Sequence, residues 1–210
     1  MDLSRDGIGC AVFQRPRIWK YRALSTCRRV SGTPLLYQPL LLRGHGTIVI
    51  GRDVEFGWRN SDGFYTGYCH LEAAPPDSVI EIGDGAMLNN NVLIKSEGPG
   101  IRIGARALLG SRICIYDSDF HELDPSRRRG GRPAMAAVEI GENVFVGDRA
   151  LILKGVTIGS DSVIGAGSVV TSSIPSGVIA AGNPARVVRE LESPNSRARA
   201  EDPSIRLRLS

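Results

Sequence analysis

A six-residue period constrains this chain more than any other feature. From Ile140 it reads IGENVF, VGDRAL, ILKGVT, IGSDSV, IGAGSV and VTSSIP, six consecutive hexads beginning at Ile140, Val146, Ile152, Ile158, Ile164 and Val170. Each opens on an aliphatic residue, commonly followed by Gly. Earlier blocks keep the pattern: IGARAL, LGSRIC and IYDSDF from Ile103, IGDGAM, LNNNVL and IKSEGP from Ile82, and a degenerate IGRDVE and FGWRNS from Ile50. A helix of 3.6 residues per turn drifts out of register with such a repeat within two turns, and its Gly and β-branched residues disfavour helix. A half-buried strand of an ordinary sheet would alternate strictly instead. The period predicts a prism-shaped parallel β-helix with three hexads per coil. The first residue of each hexad then points inward and stacks about 4.8 Å above its equivalent in the next coil. The fifth position (Val144, Ala150, Val156, Ser162, Ser168) fills the corner, and Gly at the second is expected to serve the tight bend between faces.

Composition agrees with a core of small and aliphatic side chains: 42% of the 210 residues are hydrophobic, only 6% are aromatic, and 25 are Gly. No run approaches the ~20 apolar residues of a membrane helix, and the first thirty residues lack the apolar centre of a secretory signal, so a cytoplasmic protein is expected. Cys10, Cys27, Cys69 and Cys114 have neither CxxC spacing nor a His partner, which reads as scattered thiols; no metal is expected. The net charge of +4 comes without interleaved aromatics or a nucleic-acid motif, so no nucleic-acid partner is expected. Of the 26 basic residues only Lys20, Lys95 and Lys154 are lysine, which reads as compositional bias.

These hexads resemble the hexapeptide-repeat acyltransferases, whose fold is a left-handed parallel β-helix, and in particular the sugar O-acetyltransferases, which include maltose and galactoside acetyltransferases and polysaccharide-modifying relatives. The handedness is implied by the resemblance alone, since general crossover rules favour the opposite hand. The expected organisation is a mainly β chain in three parts. Residues 1–45 form an N-terminal segment with a helix and cap, residues 46–191 the β-helix with an ejected loop at 116–139, and residues 192–210 a disordered tail. Within the first part, residues 16–30 are expected to form a basic amphipathic helix. It serves either as a cap or, through residues 15–29, as a weak membrane-surface contact. Residues 58–78 fall out of register and are expected to loop out.

The register breaks inside the main block between Ile115 and Ile140, and a long loop leaving a regular solenoid is a functional suspect. It carries His121, one of three histidines, among Asp117, Asp119, Glu122 and Asp124. The resemblance makes His121 the catalytic residue, because the D-x-D-F-H-x-x-D run matches the family's histidine stretch. Acetyl transfer from a thioester to a hydroxyl needs a base, and imidazole serves near neutral pH. His45 and His70 lack this context.

The resemblance further implies acceptor contacts from Asn89, in the LNNNVL hexad, and from Glu97. An asparagine ladder turning a corner is the alternative for Asn89–Asn91. Coenzyme A contacts are implied for Ala166, Thr171, Ser172, Arg186 and Arg189. Here VTSSIP departs from the more usual VTKDIP, leaving Ser172 where relatives have a basic residue, and VFVG puts Phe145 where a larger ring is common. The resulting expectation is an acetyl-CoA-dependent O-acetyltransferase acting on a sugar or glycan precursor, a homotrimer with sites between subunits. N-acetylation of an amino sugar or antibiotic, and a non-catalytic β-helical scaffold, are the rivals.

Overall fold

The computed structural model describes residues 10–191; the expected tail at 192–210 lies outside them. Three parallel sheets wind as the faces of a prism. The first face is β1 (Arg29–Ser31), β4 (Thr47–Ile50), β7 (Val79–Ile82), β10 (Ile101–Ile103), β13 (Val138–Ile140) and β16 (Thr157–Ile158). The second is β2 (Leu35–Leu36), β5 (Glu55–Phe56), β8 (Met87–Leu88), β11 (Leu108–Leu109), β14 (Phe145–Val146) and β17 (Val163–Ile164), followed by β19 (Val178–Gly182) and an antiparallel β20 (Ala185–Glu190). The third is β3 (Leu40–Gly44), β6 (Cys69–Ala73), β9 (Leu93–Ser96), β12 (Cys114–Tyr116), β15 (Leu151–Ile152) and β18 (Val169–Val170). This is the mainly β, parallel β-helical class expected from the hexads, and it accords with the left-handed coil.

The core is a set of stacked ladders. Ile50, Ile82, Ile103, Ile140 and Ile158 are register partners on the first face, Phe56, Leu88, Leu109, Val146 and Ile164 on the second, and Leu71, Ile94, Ile115, Ile152 and Val170 on the third. All are buried, each side chain worth roughly 1.5–3 kcal/mol of transfer free energy.

The second-position Gly has a different role from the one expected. The residue that turns each corner with positive φ is the fourth of the hexad: Asn91, Arg106, Arg112, Asn143, Arg149 and Asp161, or Gly85, Gly155 and Gly167. Second-position Gly instead lets neighbouring coils touch. A Cβ on Gly104 would lie 2.5 Å from the Gly141 carbonyl carbon, and one on Gly147 2.6 Å from the Ala166 amide nitrogen.

Two boundaries also differ. The ladder starts at Arg29, ahead of residue 46, because β1, β2 and β3 pair in register although their sequences lack the I-G signature. The excursion after β5 ends at Tyr68, not residue 78, because Cys69, Leu71 and Ala73 point inward as a regular third-face strand. The N-terminal helix α1 (Arg15–Leu24) starts with Pro in its first turn and ends where Ser25 folds back on the Tyr21 carbonyl at 2.8 Å. It has no buried residue, and Trp19 is 76% exposed, so the helix is not amphipathic; Arg28 and Arg29 lie beyond it. Its anchors are polar and aromatic: buried Gln14 donates to the Tyr37 and Phe64 carbonyls (3.1 and 2.7 Å), Arg17 to the Phe64 and Gly67 carbonyls, and the Tyr21 ring packs on Tyr68 at 4.5 Å.

Candidate active site

Sequence distance hides how the prism gathers the expected site residues. Every passage from the third face to the first turns the same corner, so Glu97, the loop carrying His121, Lys154–Gly155, and Thr171–Ser172 occupy successive levels of one edge. Every passage from the second face to the third turns another, which holds Asn89 and Ala166. Arg186 and Arg189 lie apart on β20, at the end of the second face.

The ejected loop spans residues 117–137. Its root is Asp117, fully buried, which accepts hydrogen bonds from Ser96 Oγ (2.7 Å) and from the amides of Glu97, Gly98 and Gly100 (2.8, 3.2 and 3.0 Å). The two arms leave as a short hairpin. The Asp119 amide donates to the Ala134 carbonyl and the Ala136 amide to the Asp117 carbonyl, both at 3.0 Å. Phe120 then turns through φ 60°, a conformation a bulky side chain rarely adopts and one that clusters at functional sites. Its ring packs edge-on against Tyr116 (5.1 Å) and lies beneath the Lys95 ammonium (4.9 Å). The next residue, His121, is exposed. Beyond it, Ser126 donates to Asp124 from side chain and backbone, which with Arg127 holds the Asp124 carboxyl below its usual range.

Asn89 Nδ2 donates to Ser61 Oγ at 2.9 Å, and Oδ1 accepts from the Asn90 amide at 2.7 Å. Its two neighbours are structural. Buried Asn90 bonds the Trp58 amide and the Trp58 and Ser61 carbonyls, while the Asn91 amide donates to Gln38 Oε1 at 2.8 Å; together they hold the 57–68 excursion. Beside Asn89 the second face carries a groove of about 440 Å³ lined by Trp58, Ser61, Met87, Leu108, Phe145 and Asp148. Its floor is an outward apolar column in which Leu108 and Phe145 are 43% and 47% exposed. The first face, by contrast, carries a Glu81–Arg102–Glu139 ion-pair ladder (2.9 and 3.1 Å).

Glu97 pairs with Lys95 at 3.0 Å. Ala166, Thr171 and Ser172 are exposed, as are Arg186 and Arg189, whose guanidinium groups bond only backbone carbonyls and pair with no carboxylate among the described residues. Hydroxyls and guanidinium groups exposed in this way can each donate to a phosphate oxygen. The other histidines are placed differently. His45 is exposed between β3 and β4. His70 lies on the outer third face, 3.6 Å from Glu72, with burial holding its pKa below the ordinary value. Cys69 is buried and its thiol pushed up to about 12 by burial, which removes it as a nucleophile. Lys95, Lys154 and the anchoring role of Asp117 were not signalled by the sequence pattern, since each acts across coils.

No helix among the described residues is long and apolar enough to cross a membrane. Residues 137–172 match the family described as bacterial transferase hexapeptide (six repeats). The galactoside O-acetyltransferase of Escherichia coli (strain K12) is 39% identical over 114 residues, 54% of this chain and 55% of that protein. A solved galactoside acetyltransferase in complex with coenzyme A superposes with a TM-score of 0.51 at 38% identity, over 54% of this chain and 56% of the other. A hexapeptide-repeat acetyltransferase from Vibrio cholerae, complexed with acetyl coenzyme A, shares the fold more widely: TM-score 0.54 at 24% identity, over 90% of this chain and 87% of that one. The matched stretch spans little more than half the length of the curated relatives. Residues 137–172 thus match the hexapeptide-repeat family, and the chain around them is similar to galactoside O-acetyltransferases over about half its length.

Proposed function

We propose that this protein is a cytoplasmic O-acetyltransferase that moves the acetyl group of acetyl-CoA to a hydroxyl of a sugar or glycan precursor, with His121 as general base. The observation that carries the reading is the built root beneath His121: a buried, four-fold hydrogen-bonded Asp117 and a left-handed Phe120 present an exposed imidazole on the edge that also bears Glu97, Thr171 and Ser172. Bound acetyl-CoA supplies a thioester carbonyl as the electrophile. His121 takes the hydroxyl proton as the acceptor oxygen attacks the carbonyl; the tetrahedral adduct then breaks its C–S bond, and the departing coenzyme A thiolate takes that proton from the imidazolium. Asn89 and Glu97 orient the sugar by donating to and accepting from its other hydroxyls. The test is coenzyme A release from acetyl-CoA across free sugars, nucleotide sugars and lipid-linked sugars. Release with no sugar, and with amino groups only, would overturn the reading.

The reading also requires a second chain. Asn89 and His121 of one chain occupy opposite edges of the third face, separated by a strand's length of more than roughly 10 Å. A threefold arrangement that sets the His121 edge of one protomer against the Asn89 edge of the next unites them and covers the exposed Leu108 and Phe145. The expected result is a homotrimer by light scattering at assay concentration; an active monomer would refute this assembly.

Replacing Arg186 and Arg189 together with Ala is expected to raise KM for acetyl-CoA about tenfold. Each charge-assisted bond to a phosphate is worth about 1.5–3 kcal/mol, discounted for exposure. The acceptor's KM should stay near its parent value. An unchanged KM for the coenzyme would leave the arginines as edge residues of β20.

A further inference from the structure

We infer that Lys154 is a positioning residue for His121: it clamps the root of the catalytic loop from the next coil through Asp119. The inference rests on the general-base reading of His121. Lys154 Nζ stands 2.9 Å from Asp119 Oδ1, both side chains are about three-quarters buried (28% and 23% exposed), and Asp119 is two residues before His121. Asp119 Oδ2 is buried without a hydrogen-bond partner, so the lysine ammonium is the group that offsets the carboxylate's desolvation. A buried pair of this kind is held in one geometry, unlike a surface pair.

The same turn also holds the returning arm. The Gly155 amide donates to the carbonyls of both Ala136 and Ala137, at 3.1 Å each. Residues 154–155 therefore grip the outgoing strand through a charge and the incoming strand through the backbone. Lys95 contributes from the coil on the other side, over the ring of Phe120. Among 26 basic residues the chain has three lysines, and two of them flank the segment that leads into His121. An ammonium is a compact charge with three freely directed donors, which suits a single carboxylate oxygen in a close corner better than a planar guanidinium fork does.

Lys154 is also one level from Ser172 on the same edge, and this gives the test its sharpest alternative: a lysine that contacts the coenzyme would raise its KM, whereas a positioning lysine lowers kcat. In the full-length enzyme, Lys154→Met is expected to lower kcat roughly tenfold while KM for acetyl-CoA stays within about twofold, since a displacement of the order of an ångström at the reacting group costs that much or more. Lys154→Arg, which keeps the charge but fits the close corner less well, should recover part of the rate. Asp119→Asn should match Lys154→Met, and the double variant should cost little more than either, as for two members of one interaction. Amide exchange by mass spectrometry over residues 117–137 should accelerate in Lys154→Met while β12 and β15 exchange as in the parent, a readout independent of activity. A rise in coenzyme KM with kcat kept, additive losses in the double variant, or unchanged exchange across the loop would each overturn the clamp. The failure of the base reading looks different: His121→Ala would keep its activity while exchange in Lys154→Met still accelerated.

Discussion

His121→Ala should turn over acetyl-CoA roughly 10²–10⁴-fold more slowly than the parent, the usual range for losing a positioned acid–base group. Melting temperature, oligomeric mass and coenzyme affinity should be unchanged. The separation follows from where the residue stands. The imidazole is exposed on a loop outside the stacked ladders, and it takes no part in the hydrogen bonds of the root. Its removal therefore deletes no core contact and orphans no buried donor. A merely structural histidine would behave in the opposite way, with activity falling only as far as stability fell. Comparing kcat at matched folded fraction decides between them. An alanine variant that keeps most of its rate would move the search to His70, half-buried beside Glu72, or to a carboxylate of the loop.

How much of this was legible in the sequence depends on whether a feature is repeated or unique. The ladders of Ile50, Ile82, Ile103, Ile140 and Ile158 were readable because each coil must solve the same packing problem, so the same residue type returns at a fixed period. The ejected loop was readable as the place where that period fails. The early coils were not, because Arg29–Ser31, Leu35–Leu36 and Leu40–Gly44 join the ladder through backbone pairing and through Val30, Leu36, Leu40 and Leu42, which pack on the core without an I-G signature. The function of second-position Gly was misread for a related reason: the constraint on Gly104 comes from Gly141 in the next coil, not from its own bend. The clamp from Lys154 to Asp119 and the groove beside Asn89 likewise depend on residues far apart in sequence and adjacent only after coiling. Spacing along the chain carries no trace of them.

Asp117→Ala should be the most damaging single change at the site, and for a structural reason. The carboxylate is fully buried and is the partner of four donors, the Ser96 hydroxyl and the amides of Glu97, Gly98 and Gly100. Hydrogen bonds to a charged acceptor contribute about 1.5–3 kcal/mol each, and donors left buried without a partner carry a full desolvation cost, so a loss of about 3–5 kcal/mol is expected even after partial collapse and water entry. For a chain of this size that corresponds to a fall in Tm of roughly 6–20 °C at fixed protein concentration. Ser96→Ala, which removes one donor and leaves the other three satisfied, should cost about 1.5–3 kcal/mol, less than the loss of the whole anchor. Asp117→Asn keeps an acceptor but turns an NH₂ group toward amides that also donate, so it should fall between the two. Because the Glu97–Gly100 corner and the outgoing arm of the His121 loop both hang from this carboxylate, Asp117→Ala should also lose activity below its melting transition. Thermal unfolding of the three variants beside the parent decides the matter. A Tm for Asp117→Ala within about 2 °C of the parent would mean that the corner stands without its anchor, and that the geometry under His121 is held from the coil of Lys154 alone.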